Sequence, residues 1–293
     1  MFAEIAQNIP DQQINFHDII LTIRRLDLVH PQISGNKFFK LKYNFLEAQR
    51  QGYRQILSFG GAYSNHIAAT AFAAQQFGLQ SVGIIRGEEL AHRPLNPTLA
   101  TARQLGMQLH FVSREHYRRK QQPEYLAELA QQFPEHYFIP EGGTNALAIR
   151  GCQEILSPQD TQFDVVCCAV GTGGTITGLI EASQAHQQVL GFSALQGSFL
   201  KDEVAQLTSK TNWTILDDYC CGGYAKTSTA LMQFIRDFEI EFAIPLEQVY
   251  TAKMLMGIFD LIEKDYFPAG SRLLVIHSGG LQGRNMDTTS TIA

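Results

Sequence analysis

Lys37, Lys40 and Lys42 lie within six residues of one another in a chain whose formal net charge is −5. A lysine amine attacks a carbonyl or removes a proton only when it has lost its own charge, through burial or a neighbouring cation. The turn-type sequence Ser34-Gly35-Asn36 can direct Lys37 into a cleft, with Lys40 and Lys42 close enough to bias its protonation. The same spacing also fits solvated lysines on an amphipathic helix that begins near Phe38.

Farther along, Gly171-Thr172-Gly173-Gly174-Thr175 separates the apolar run DVVCCAV from the helix-forming stretch ITGLIEASQ. Glycines let backbone N–H groups turn inward, and the helix start adds the positive end of its dipole, so the loop suits an anion and above all a phosphate. A dinucleotide fingerprint matches poorly: the spacing is GxGGxxxG, and Gly191, Phe192 and Ser193 stand where an acidic residue is expected. A P-loop fails because no Gly-Lys-Ser/Thr follows, while a strand-to-helix turn without a ligand stays open. An activated lysine and a phosphate nest together match a cofactor with both an aldehyde and a phosphate, which is pyridoxal phosphate.

The elements that must position these groups are short apolar runs alternating with helix-like segments. The runs are QILSF (55–59), SVGIIR (81–86), MQLHFV (107–112), HYFIP (136–140), FDVVCCAV (163–170), VLGFSAL (189–195), WTIL (213–216) and RLLVIHS (272–278). Continuous rather than alternating apolar runs mark parallel strands covered by helices on both faces. Between them, Ser64 to Phe77 and Asn96 to Leu105 have helical spacing, with Gly78 and Gly106 placed as stops. The expected class is α/β. GGAYSN (60–65) and GTGGTITG (171–178) each end a strand and open a helix, where open α/β sheets bind ligands. Two such turns imply two lobes and a cleft.

The chain has 293 residues, 45% hydrophobic and 17% charged, enough for one large domain or two moderate ones. Its acidic balance argues against nucleic acid or an anionic membrane as partner and favours a small molecule. The start, MFAEIAQNIP, lacks the basic and apolar regions of a signal peptide, and no run approaches the roughly 20 apolar residues of a membrane-spanning helix, so a cytoplasmic protein is expected. Five cysteines without CxxC spacing read as buried thiols rather than metal ligands. His66 reads as a helix-start or packing residue, and Arg118-Arg119-Lys120 as a solvated helix end. Tyr224 and Tyr250 are core aromatics by default, raised to site candidates by the glycine-rich and VYTAK segments beside them.

Six segments, SGNKFFKLKYN, LSFGGAYSNHIAATA, EGGTNALAIRG, AVGTGGTITGL, VYTAKMLMGI and VIHSGG, occur in the order seen in pyridoxal-phosphate enzymes of fold type II. From about Leu21 to Gly283 the chain resembles the 1-aminocyclopropane-1-carboxylate deaminase and D-cysteine desulfhydrase family. The resemblance implies a tryptophan synthase β-like fold, two-lobed and three-layered α/β/α with mostly parallel sheets. It implies that Lys37 is the Schiff-base lysine and Cα proton shuttle, and that Lys40 neighbours the cofactor phosphate. Asn65 would meet the pyridoxal 3′-oxygen, Ser64 would lie close to the substrate, and Gly171, Thr172, Gly173, Gly174 and Thr175 would form the phosphate loop. Tyr224 and Tyr250 match tyrosines on the substrate side, where a phenol could serve as acid or base. Ser278 is a further candidate near the pyridine nitrogen.

Two positions depart from the family pattern. Thr251 stands where cyclopropane deaminases carry a glutamate facing the pyridine nitrogen and desulfhydrase-type members carry threonine. A hydroxyl makes the ring a weaker electron sink than a carboxylate does, which favours α,β-elimination over cyclopropane ring opening. Tyr63 stands where a glutamine is usual beside the Ser-Asn pair that receives the substrate carboxylate. The expectation is a large cofactor-binding domain of residues 1–42 and 145–293, a small domain of 43–144, and a homodimer. The expected activity is that of a lyase or deaminase converting a small amino acid to a keto acid and ammonia. The alternatives are 1-aminocyclopropane-1-carboxylate deamination, or a pyridoxal-phosphate- or nucleotide-binding protein with little turnover.

Overall fold

In the run Val165–Val170, Val165, Cys167 and Ala169 enter one apolar cluster while Val166, Cys168 and Val170 enter another. Arg272–His277 divides in the same way, Leu273 and Val275 from Leu274 and Ile276. Side chains alternate across a strand, so only a strand covered on both faces needs an apolar residue at every position.

The computed structural model describes residues 1–284. The strands are β1 (Asp11–Phe16), β2 (Ile19–Arg25), β3 (Gln55–Gly60), β4 (Gln80–Arg86), β5 (Met107–Val112), β6 (His136–Ile139), β7 (Val165–Val170), β8 (Gln188–Ser193), β9 (Trp213–Leu216) and β10 (Arg272–His277). The larger sheet runs β1-β2-β10-β7-β8-β9 and the smaller β5-β4-β3-β6. Only β1 and β2 pair antiparallel; the other described pairs are parallel. Helices Thr229–Phe242 and Thr251–Glu263 cover one face of the larger sheet, and Asn36–Arg50, Ala146–Gln153 and Gly174–Ala182 cover the other. On the smaller sheet, Tyr117, Tyr125 and Leu129 pack on Leu57, Phe59, Val82 and Ile84, while helices Asn65–Gln76 and Pro97–Gln104 close the opposite face. The result is three-layered α/β with mostly parallel sheets.

The expected strands fall within two residues of the observed ones, and the helices Asn65–Gln76 and Pro97–Gln104 stop before Gly78 (φ 71°) and Gly106 (φ 89°). The β1–β2 hairpin is an addition. Its first strand, DQQINF, buries only Ile14 and reads as polar, whereas β2 alternates Ile19, Leu21, Ile23 into the core around a tight turn in which His17 has φ 51°. The lysine helix also begins earlier than expected, at Asn36 rather than near Phe38. Gly35 (φ 69°) makes this possible: its N–H donates to the Leu26 carbonyl at 2.9 Å, and a Cβ there would stand 1.8 Å from the Ser278 carbonyl oxygen. Lys37 therefore sits in the first helical turn, held against the end of β10.

Among the described residues no helix is long and apolar enough to cross a membrane. Cys152, Cys167, Cys168 and Cys220 are buried thiols and Cys221 is partly buried. Desolvation pushes Cys152, Cys167 and Cys168 toward the neutral thiol, Cys152 to about 11.

Candidate active site

The turns at the carboxyl ends of β3, β7 and β10 converge on one cleft of about 320 Å³. Its wall includes Lys37, Lys40, Ser64, Asn65, Gly171, Thr172, Gly173, Thr175, Tyr224, Tyr250 and Ser278. Residues from segments far apart in sequence are thus brought to one place, as open parallel sheets allow.

Lys37 Nζ donates to Asn36 Oδ1 at 3.1 Å, and Asn36 Nδ2 donates to Thr175 Oγ1 at 2.8 Å, tying the lysine to the glycine-rich loop. Burial lowers its pKa to about 8, with Cys152 and Glu247 acting weakly in the opposite sense. Lys40 is only 2% exposed, which removes the solvated-face reading for that position. Its Nζ donates to Thr144 Oγ1 at 2.9 Å and Thr172 Oγ1 at 3.2 Å, and burial, then the charge of Lys37, lowers its pKa to about 7. Lys42 is the ordinary charge of the three, paired with Glu154 at 2.5 Å.

The loop after β7 is tight for a reason. A Cβ on Gly174 would lie 2.9 Å from Thr144 Oγ1 and 3.1 Å from Lys40 Cε, and one on Gly171 would lie 3.0 Å from the Tyr250 ring. Gly173 opens the helix Gly174–Ala182 in the left-handed region, φ 75°, with no side-chain cap. The loop backbone is therefore framed by Lys40, Thr144 and Thr172; the Gly174 N–H donates to the Thr172 carbonyl at 2.9 Å, and no side chain caps the helix start.

The turn after β3 is built differently. Ser64 Oγ caps the helix Asn65–Gln76 by accepting from the Ile67 N–H at 3.3 Å. Asn65 Oδ1 is buried without a hydrogen-bond partner. A Cβ on Gly280 would come within 2.6 Å of Asn65 Nδ2, so the glycine after Ser278-Gly279 admits the amide. His66 is buried; Ser58 Oγ donates to the Ile139 carbonyl at 2.7 Å, so its contact with His66 Nε2 at 2.7 Å makes Nε2 the donor. That leaves Nδ1 an acceptor, and it too has no partner. Burial, then the charges of Lys37 and Lys40, hold this imidazole well below its ordinary pKa.

Tyr224 and Tyr250 form an edge-to-face pair with ring centroids 6.1 Å apart. Burial, then Tyr224 and Glu247, push the Tyr250 phenol well above its ordinary value. Buried Lys253 donates to the carbonyls of Cys220 and Gly223, both at 2.8 Å, and so fixes the loop that carries Tyr224. Thr251 is set apart from the others. It is fully buried outside the cleft wall, and its Oγ1 accepts from the Glu247 N–H at 3.0 Å while donating to the Glu247 carbonyl at 3.3 Å. Ser278, by contrast, belongs to the wall. Tyr63 is 65% exposed and also outside the wall.

Among the charged wall or near-wall residues, Arg86, Glu141 and Glu247 were not singled out from sequence, and Asn36 was read only as part of a turn. Glu247 accepts from the N–H groups of Val249, Tyr250 and Thr251 at 2.6–2.8 Å and so caps the helix Thr251–Glu263 from outside it. Burial pushes its carboxyl upward despite those bonds. Its only sequence signal was a carboxylate four residues before a helix start. Lys120, read as part of a solvated helix end, instead pairs with the cleft residue Glu141 at 3.2 Å.

The family described as "Pyridoxal-phosphate dependent enzyme" matches residues 23–279. The chain is 30% identical to an Arabidopsis thaliana protein named "Bifunctional D-cysteine desulfhydrase/1-aminocyclopropane-1-carboxylate deaminase, mitochondrial", over 90% of this chain and 73% of that one. It is 26% identical to a Serratia proteamaculans D-cysteine desulfhydrase, over 88% and 86% respectively. A crystal structure of an ACC deaminase homologue superposes with a TM-score of 0.81 at 25% identity, covering 95% of this chain and 91% of that one.

Proposed function

The chain belongs to the family of pyridoxal-phosphate dependent enzymes, and from that premise we propose that Lys37 anchors the cofactor and carries the Cα proton of a small amino acid undergoing α,β-elimination. The residues present fit the group. Lys40, Thr172 and the glycines of the β7 turn suit the phosphate, the unpartnered amide of Asn65 suits the 3′-oxygen, and Ser278 suits the pyridine nitrogen. When bound, pyridoxal phosphate supplies an aldehyde that condenses with amines and a ring that withdraws electrons from Cα.

What the chain's own residues contribute follows from the geometry. Lys37, with its pKa lowered to about 8 by burial, keeps about a tenth of its amine neutral at pH 7, far more than an ordinary lysine, and accepts the Cα proton at Nζ. Asn36 orients it. The Ser64 hydroxyl and the backbone N–H of Asn65 at the helix start receive the substrate carboxylate, and the Tyr224–Tyr250 pair closes the opposite side, with the raised Tyr250 phenol able to donate but not to act as a ready base. The Cβ–X bond then breaks with its electron pair leaving on X, and the released enamine takes up water and a proton to give a keto acid and ammonium. The single observation that carries this reading is Lys37 and Lys40 in one helical turn, the first half-buried and the second buried, and both tied to threonines of the β7 loop region, Lys37 through Asn36.

The Arabidopsis relative's name favours a second reading, 1-aminocyclopropane-1-carboxylate deamination. Against it stands the absence of a carboxylate at position 251, whose hydroxyl is occupied by Glu247. Assay of D- and L-cysteine, serine, β-chloroalanine and the cyclopropane amino acid for keto-acid release decides between them. Turnover of a β-substituted amino acid supports elimination; turnover of the cyclopropane compound alone overturns it. The proposal extends to a small lobe of residues 43–144, supported by the fact that β3 to β6 all lie inside it, with residues 1–42 and 145–293 as the large lobe. It also extends to a cytoplasmic homodimer, supported by the family resemblance.

A further inference from the structure

Arg86 ends β4 and enters the cleft wall shared with Lys37, Tyr224 and Glu141. Its Nη2 stands 3.6 Å from where a Cβ on Gly61 would be, which places the guanidinium beside the turn after β3. The guanidinium carbon lies 5.7 Å from the centroid of the Tyr117 ring, a cation–π placement that holds it without neutralising it. The obvious counter-ion is already engaged: Glu141 Oε1 accepts from Tyr117 OH at 2.5 Å, and Oε2 pairs with Lys120 at 3.2 Å. Among the described residues no carboxylate forms an ion pair with Arg86. A fork of N–H donors at the mouth of a cleft, oriented by an aromatic face and left without an anion, is built to receive one.

We infer that Arg86 is the specificity-determining residue for a second anionic group on the substrate, so that the preferred amino acid carries an acid on its Cβ substituent. The inference rests on the elimination reading above, in which Ser64 and Asn65 take the α-carboxylate and leave Arg86, exposed at the mouth, for the distal end. For serine O-sulfate the Cα proton passes to Lys37, and the Cβ–O bond breaks with its electron pair leaving as sulfate. The enamine, water and a proton then give pyruvate and ammonium.

The test compares both enantiomers of serine O-sulfate with those of β-chloroalanine, which has a good leaving group but no second charge. Removing one charge-assisted bidentate contact in Arg86→Gln lowers kcat/KM for the sulfate ester by about 30-fold, mostly through KM, and leaves β-chloroalanine within about threefold. Arg86→Lys recovers part of the loss, because the charge remains while the fork is gone. An equal fall for both substrates, or no fall for either, overturns the assignment. Calorimetric titration of the borohydride-reduced holoenzyme, in which no elimination can proceed, with D- and L-cysteate gives a second readout independent of turnover: weaker binding to Arg86→Gln by a similar factor supports the inference, and equal binding overturns it. If the wild-type protein releases keto acid from neither substrate, the elimination reading fails, and the cysteate titration still decides on Arg86.

Discussion

The two glycine-rich turns look alike in sequence and occupy equivalent places, yet they offer a ligand opposite things. After β3, Ser64 caps its own helix and the wall is made of side chains, with Asn65 Oδ1 and His66 Nδ1 left without partners. After β7, no side chain caps the helix Gly174–Ala182, and the polar groups beside the backbone are imported: Lys40 from another helix and Thr144 from the segment after β6. One turn recognises shape and hydrogen-bond pattern; the other holds charge. A cofactor with a polar ring at one end and a dianion at the other needs both kinds.

Variants can separate the two turns. The largest effect is expected at the charged one. Lys40→Met removes a buried charge-assisted donor worth about 2 kcal/mol, so pyridoxal-phosphate affinity falls roughly 30-fold, with protection by inorganic phosphate against thermal unfolding falling alongside it. If phosphate protection survives in the variant, the anion site lies elsewhere. At the other turn, Asn65→Ala costs about 1 kcal/mol, or roughly fivefold in cofactor affinity, and leaves phosphate protection as it was. Parallel losses in both assays would show that the two turns do not divide the work.

The pH response sharpens the same contrast. In the folded chain Lys37 and Lys40 have pKa values of about 8 and about 7, against an ordinary 10.5, so between about pH 7 and 10.5 the unfolded chain binds more protons at these sites. Stability of the cofactor-free protein contributed by them therefore rises with pH across that window. Denaturant titrations at several pH values should show a shallower rise for Lys40→Met, with the remaining rise beginning nearer pH 8. Added phosphate restores the Lys40 charge and flattens the wild-type slope toward that of the variant. A steeper slope in the variant would contradict the burial account.

The smallest effect belongs to the cap. Ser64→Ala loses the long bond to Ile67 N–H and about 0.5 kcal/mol of stability in a denaturant melt, with phosphate protection unchanged. An unchanged melt would mean that the β3 turn is held by its glycines alone.

How much of this could be read from residues alone follows the range of the interactions. Strands β3 to β10 were legible because burial on both faces demands an uninterrupted apolar run, which is a local signal. The β1–β2 hairpin was not, since Asp11 to Phe16 carries almost no apolar pattern and its place depends on β2 pairing with β10 from the far end of the chain. Lys37, Lys40, Asn65 and the residues of 171–175 were legible as motifs. Their chemistry was not: what buries Lys40 is Thr144 and Thr172, more than a hundred residues away. Arg86 and Glu141 were legible only as the end of the run SVGIIR and the start of the segment EGGTNALAIRG; it is the parallel pairing of β3 with β4 and β6 that brings their side chains to one cleft. Thr251 shows the reverse failure. A motif position suggested contact with the ring, but Glu247, four residues earlier, takes up the hydroxyl.

The central claim is that Lys37, and neither of its neighbours Lys40 and Lys42, is the covalent anchor. Borohydride reduction of the purified holoenzyme followed by peptide mass mapping tests it directly. The account predicts a single pyridoxyl adduct on Lys37; an adduct on Lys40 or Lys42, or none anywhere, would contradict it.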